Sequence, residues 1–294
     1  MFKGSFVALA TPMLDSGEVD YESLGTLVEF HINNGTDGIV SVGTTGESAT
    51  LPFSEHIKVI ERTVDLVDGK LPIIAGSGAN STEEAVFLTK QIAKAGVDGF
   101  LSVVPYYNKP QQKGLLAHFD AVASASDLPL ILYNVPARTV LDMHDETVIE
   151  LSEHSNIIGL KDATGDLNRL QSVKANVDSS FMVYSGDDAT ACEFMCMGGD
   201  GIISVSANIV PKQMASMCRY ALNGEYENAK AEDSGLQPLH ELLFIEPNPV
   251  MPKWALYKME LIKSPFLRLP LVLPELNSQT DIERELVKLG IIRN

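Results

Sequence analysis

Short apolar runs recur along the chain up to Val205, at 5–10, 38–42, 71–75, 99–103, 128–133, 157–161, 181–185 and 201–205. Each has the length and composition of a strand covered on both faces, where polar alternation is not needed. Between them, apolar residues recur at helical spacing over 21–34, 54–67, 82–95, 114–125, 145–151, 167–175 and 189–197. Strand and helix therefore alternate, which calls for crossover connections and a parallel sheet. An open doubly wound sheet would also alternate, but eight even repeats fit a closed (β/α)8 barrel better. Three joints, Gly35-Thr36-Asp37-Gly38, Gly96-Val97-Asp98-Gly99 and Gly198-Gly199-Asp200-Gly201, end a helix on glycine and open the next strand. Beyond Val205 only helical periodicity remains, over 213–222, 226–244, 252–261 and 281–289, with proline-rich turns at Glu246-Pro247-Asn248-Pro249 and 267–274. The expected organisation is a catalytic barrel over 1–224 and a C-terminal helical region over 225–294.

In such a barrel the chemistry belongs at the carboxyl ends of the strands. Lys161 closes the sixth run, Ile157-Ile158-Gly159-Leu160-Lys161. An ammonium buried there is costly, so the amine is expected to be paired or to lose its proton at unusually low pH. A neutral lysine amine condenses with a carbonyl carbon to give a Schiff base. The competing reading is a lysine that snorkels to solvent or pairs with Asp162. The second strand runs into Gly43-Thr44-Thr45-Gly46-Glu47-Ser48, where backbone N–H groups and two hydroxyls can converge on an anion, unless this is only a glycine-rich turn. It is not a P-loop, because no Gly-Lys-Ser/Thr follows.

The fourth strand leads to Tyr106, Tyr107 and Asn108, and the fifth to Tyr133-Asn134-Val135-Pro136-Ala137-Arg138-Thr139. A phenol beside a lysine or iminium nitrogen has a usable proton, and Thr44 extends a relay to solvent. Arg138 offers a two-point contact for a carboxylate. Gly186 and Ile203 are expected beside the lysine as backbone carbonyls and a small apolar wall, leaving room for a compact keto acid. Asp187 and Asp188 read as helix caps in preference to metal ligands.

Charge narrows the partners. Lysine and arginine total 22 against 39 acidic residues, a formal net charge of −17, which argues against nucleic acid. An acidic metabolite is still accommodated where Lys161 and Arg138 concentrate positive charge. Three cysteines and no basic-then-apolar leader point to a reduced, cytoplasmic protein, and no run is long enough to span a bilayer. Cys192 and Cys196, one helical turn apart, read as an apolar face and not as a metal pair. His31, His56, His118, His144, His154 and His240 fall mostly in helical segments without zinc-type spacing. No metal, no cofactor and no histidine base are expected.

Val42-Gly43-Thr44-Thr45-Gly46-Glu47, the segment from Tyr133 to Thr139, Ile158-Gly159-Leu160-Lys161-Asp162-Ala163-Thr164, Ser185-Gly186-Asp187-Asp188 and Glu246-Pro247-Asn248-Pro249 together resemble the dihydrodipicolinate synthase family, nearly end to end. The resemblance implies condensation of pyruvate with L-aspartate 4-semialdehyde to 4-hydroxy-tetrahydrodipicolinate, the first committed step of the diaminopimelate route to lysine. It implies that Lys161 forms the pyruvate imine, that Tyr133 is the general acid–base group, and that Thr44 and Tyr107 complete its proton relay. Thr45 would hold the pyruvate carboxylate. Arg138 would hold that of the semialdehyde and steady Tyr133. It further implies a homotetramer built as a dimer of dimers, with Tyr107 reaching into the neighbouring site. Ser48, Ala49, His56, Asn80, Glu84 and Tyr106 match a lysine effector pocket, with Phe53 where some lysine-sensitive members have histidine. N-acetylneuraminate lyase and keto-deoxy sugar-acid aldolases share the lysine chemistry. Arg138 favours the synthases, whereas Val140 departs from the glycine expected there. A non-catalytic small-molecule-binding barrel is the alternative of another class, disfavoured because it has no need of the whole relay.

Overall fold

The computed structural model describes residues 2–293. Its strands are β1 (Gly4–Ala8), β2 (Gly38–Ser41), β3 (Ile73–Gly76), β4 (Gly99–Val103), β5 (Leu130–Asn134), β6 (Ile157–Asp162), β7 (Met182–Ser185) and β8 (Gly201–Ser204). They pair in parallel in sequence order and close where β8 meets β1. Around them run α1 (Tyr21–Asn33), α2 (Phe53–Val67), α3 (Thr82–Ile92), α4 (Gln112–Ala123), α5 (Pro136–Thr139), α6 (Asp145–Leu151), α7 (Leu167–Lys174), α8 (Ala191–Cys196) and α9 (Pro211–Leu222). The chain then adds α10 (Tyr226–Ser234), α11 (Gln237–Leu242), α12 (Val250–Lys258) and α13 (Leu276–Lys288). This is the eight-stranded parallel barrel with C-terminal helices that the alternation of runs implied. No helix among the described residues is long and apolar enough to cross a membrane.

The glycine–aspartate joints do two jobs. Gly35, Gly96 and Gly198 take positive φ, the left-handed conformation in which a chain commonly leaves a helix. The aspartates that follow latch the start of the preceding strand: Asp37 accepts from Ser5 N at 2.8 Å, Asp98 from Ile73 N at 2.8 Å and Asp200 from Val183 N at 3.0 Å. One apolar layer, including Phe6, Val40, Ile74, Leu101, Ile131 and Tyr184, fills the barrel, while a larger one lies between strands and helices.

Three segments depart from the periodicity. The stretch at 226–244 breaks into α10 and α11 because Pro238, lacking an N–H, can only stand in the first turn of a new helix. Residues 136–139 form a short helix where a connecting segment was expected, again opened by proline. Asp188 does not cap its own helix; its carboxylate accepts from Val205 N and Ser206 N, both at 2.9 Å, and so ties β7 to the end of β8. Asp187 is the cap, accepting from Thr190 N at 3.2 Å.

Candidate active site

The carboxyl ends of the strands surround a cavity of about 380 Å³ whose lining includes Thr44, Thr45, Tyr133, Arg138, Lys161 and Gly186. Register sets the pair at its centre: Tyr133 on β5 lies beside Lys161 on β6. The Lys161 Nζ sits 4.2 Å from the centroid of the Tyr133 ring, and the lysine is 6% exposed. Burial pulls its pKa down to about 7, Asp188 pushes back, and Arg138 adds to the fall. Asp162 does not neutralise it, being engaged by the Thr164 hydroxyl, by Asn134 Nδ2 at 3.2 Å and by Arg169 at 3.5 Å. Lys161 therefore neither snorkels nor pairs with its neighbour. Gly186 makes room for it, since a Cβ there would lie 2.6 Å from the lysine Cε and 2.9 Å from Ala163 Cβ.

The Tyr133 phenol is held protonated by burial, with Arg138 and a hydrogen bond to Thr44 pulling its pKa partly back. It is thus an acid that can cycle once a cation forms beside it. Thr44 and Thr45 occupy a tight turn in which Gly46 N and Ser48 N donate to Gly43 O at 3.1 and 3.3 Å. Val42 and Glu47, at φ of 53° and 58°, bracket this turn in the left-handed region. Gly76 permits it, because a Cβ there would meet the Val42 carbonyl oxygen at 2.1 Å. Thr45 Oγ1 accepts from Asn248 Nδ2 at 3.0 Å, which leaves the threonine proton for another acceptor. Asn248 Oδ1 is buried without a partner among the described residues.

Not every expected residue converges. Ile203 belongs to the apolar filling of the barrel, and Val205 supplies the cavity wall in its place. Tyr107 lies outside the cavity, 89% exposed, at φ 74°. Arg138, on α5, faces both this cavity and a second one of about 320 Å³, which Ser48, Ala49, His56, Glu84 and Tyr106 help to line. Asn80 does not line that second cavity; its carbonyl receives Asn108 Nδ2 at 2.7 Å. Phe53, on the second cavity's lining, stacks on Phe87 at 6.0 Å. His56 Nε2 donates to Gly76 O at 2.8 Å, and burial lowers its pKa.

Asn248, Asp187 and Phe244 also line the first cavity but were not read as site residues. The signal for Asn248 lay in Glu246-Pro247-Asn248-Pro249, read as a turn and as part of the family resemblance but given no role at the site. Burial depresses His31 to about 3 and His118 to about 4, and raises the Cys192 thiol to about 12. Among the described residues no group of three or more His, Cys, Asp or Glu is arranged to hold a metal.

A desolvated lysine amine over a protonated phenol, with a guanidinium and two hydroxyls at a barrel mouth, defines a lysine-dependent, carbonyl-condensing enzyme of the class I aldolase type. The model of the Dihydrodipicolinate synthetase family matches residues 1–289, and the chain belongs to that family. It is 63% identical over 292 residues to the 4-hydroxy-tetrahydrodipicolinate synthase of Pseudoalteromonas atlantica, covering 99% of this chain and 100% of the relative. Among solved structures, the chloride-inhibited dihydrodipicolinate synthase from Acinetobacter baumannii complexed with pyruvate is 48% identical, with a TM-score of 0.97 and coverage of 99% and 100%. The enzyme from Cyanidioschyzon merolae with lysine bound is 39% identical, with a TM-score of 0.95 and coverage of 99% of each chain.

Proposed function

We propose that this chain condenses pyruvate with L-aspartate 4-semialdehyde to give 4-hydroxy-tetrahydrodipicolinate, through an imine between pyruvate and Lys161. The observation that carries the proposal is Lys161 Nζ buried over the Tyr133 ring, with its pKa brought down to about 7. The neutral amine attacks C2 of pyruvate; the departing oxygen takes one proton from the amine and one from Tyr133 and leaves as water, giving an iminium beside the Tyr133 phenolate. The iminium draws electrons from C3, whose proton passes to the Tyr133 phenolate, and C3 becomes nucleophilic as the enamine. C3 then adds to the aldehyde carbon, and the new alkoxide takes a proton from Tyr133. The substrate's own amino group attacks the imine carbon and releases Lys161. Tyr133 recovers its protons through Thr44.

Thr45 holds the pyruvate carboxylate with its free hydroxyl proton, and Arg138 receives the carboxylate of the semialdehyde. Arg138 favours this second substrate over a polyol aldehyde. The homotetramer, a dimer of dimers, belongs to the same proposal: an exposed tyrosine with left-handed backbone at 107 fits a side chain delivered to a second copy's relay. Residues 1–224 then act as the catalytic barrel and 225–294 as the helical region that braces it. Free, buried or half-buried thiols fit the cytoplasm. The second cavity is proposed to take lysine as an effector, supported by the Glu84 carboxylate and by the wall it shares with the first cavity at Thr44 and Arg138.

The test is borohydride reduction with pyruvate, followed by turnover with aspartate semialdehyde, N-acetylmannosamine and glyceraldehyde offered separately. An adduct on Lys161 and turnover with the semialdehyde alone are expected. Turnover only with a sugar aldehyde moves the chain to the sugar-acid aldolases, and no adduct leaves a binding barrel. Rates unchanged by millimolar lysine remove the effector.

A further inference from the structure

Glu47 and Lys253 form an ion pair 206 residues apart in sequence, with Nζ to Oε1 at 2.6 Å and both side chains fully shielded from solvent. The second carboxylate oxygen of Glu47 accepts from Arg268 N at 3.0 Å. Arg268 in turn clasps Glu55 with two nitrogens, at 2.6 and 2.9 Å, and reaches Thr50 O at 3.2 Å and Gly17 O at 2.8 Å. A buried ion pair is a poor device for stability, because desolvating both charges offsets their attraction and an apolar pair of similar volume does as well. What it supplies is geometric: a short contact between fixed charges admits one arrangement of the backbones that carry them.

The backbone in question is the substrate-binding turn. Glu47 N donates to Thr44 O at 3.0 Å, so the buried carboxylate stands one hydrogen bond from the threonine of the relay. The same C-terminal segment touches the turn a second time, where Asn248, just before the helix that carries Lys253, donates to Thr45. Glu47 is also held at φ 58°, a conformation that a non-glycine residue keeps only when its surroundings impose it. Lys253 and the backbone of Arg268 are those surroundings.

We propose that Lys253 and Glu47 are positioning residues for the condensation: their buried ion pair locks the Thr44–Thr45 turn against the C-terminal helices and so sets the anchor for the pyruvate carboxylate. This rests on the reading of Thr45 as that anchor. Neither residue touches substrate; both act through the turn.

The test compares wild type with the doubly neutral variant Glu47→Gln/Lys253→Met, in which no charge is left buried alone. Readouts are thermal midpoint, the pyruvate concentration giving half-maximal borohydride trapping on Lys161, and KM against kcat. The expected result is a folded protein whose half-trapping concentration and pyruvate KM both rise about tenfold or more while kcat changes far less, the pattern of lost ground-state positioning. A folded double variant trapping at the wild-type pyruvate concentration overturns the proposal, even if its midpoint falls. Should the double variant not fold, Lys253→Arg carries the same test, since it keeps the charge but not the contact geometry; unchanged half-trapping there also overturns it. Absence of trapping in wild type would instead defeat the imine reading and is seen before any variant is made.

Discussion

Replacing Lys161 by methionine should stabilise the unliganded protein, by an amount that depends on pH in a defined way. The amine falls from 10.5 to about 7 on burial, which at about 1.4 kcal/mol per tenfold change in proton affinity is roughly 5 kcal/mol. Below about pH 7 the amine is protonated in both folded and unfolded chains, and the folded state bears the whole cost of a desolvated ammonium. Between about pH 7 and 10.5 the unfolded chain binds a proton that the folded chain lacks, so wild-type stability rises with pH and the cost disappears. Methionine has nearly the same length, carries no charge, and fits against Gly186 and Ala163, where Lys161 now lies. Urea unfolding of both proteins at one protomer concentration, without pyruvate, from pH 6 to 10, measures the difference. The advantage of Lys161→Met should be largest at pH 6, of the order of several kcal/mol, and shrink steadily towards pH 10. A variant less stable than wild type, or a difference flat in pH, would refute the account of Lys161 as a desolvated amine.

The rate of pyruvate trapping should climb with pH to a plateau through about pH 7, as the neutral amine appears; Arg138→Met should move that midpoint up and Asp188→Asn should move it down, both read from the pH profile of borohydride trapping. Gly186→Ala places a methyl 2.6 Å from Lys161 Cε, and the displaced amine should trap pyruvate about a hundredfold more slowly, with circular dichroism showing the fold intact. Val140 holds φ 55° although its side chain is β-branched and exposed, so Val140→Gly should raise unfolding stability by about 1 kcal/mol, and a loss of stability would show that the valine makes a compensating contact.

The barrel was legible because its strands are covered on both faces, so that apolar runs alone mark them and helical periodicity fills the gaps. Lys161 and Tyr133 were legible for a related reason: a polar group ending a run that should be buried stands out against its background. At the eighth strand the run reads to Val205, whereas β8 ends at Ser204; Val205 lines the cavity, and Ile203 lies within the apolar filling of the barrel. Tyr107 belongs to the same loop as Tyr106, yet positive φ turns it outward while its neighbour stays with the second cavity. Adjacent residues in an irregular loop carry no periodicity from which their directions could be read.

The C-terminal contribution was invisible for a different reason. Asn248 and Lys253 meet Thr45 and Glu47 across more than two hundred residues, and nothing in a proline-rich turn or an apolar helix identifies its distant partner. A lysine in Met251-Pro252-Lys253-Trp254 reads as an ordinary surface residue until the fold shows it without solvent contact. Only the acidic side of the pair lay within a motif that drew notice, and there Glu47 was one of several polar residues in a glycine-rich turn. On the proposed reading, the C-terminal segment holds the mouth through Asn248 and Lys253, and the reacting groups come from the strands and from the loops that follow them.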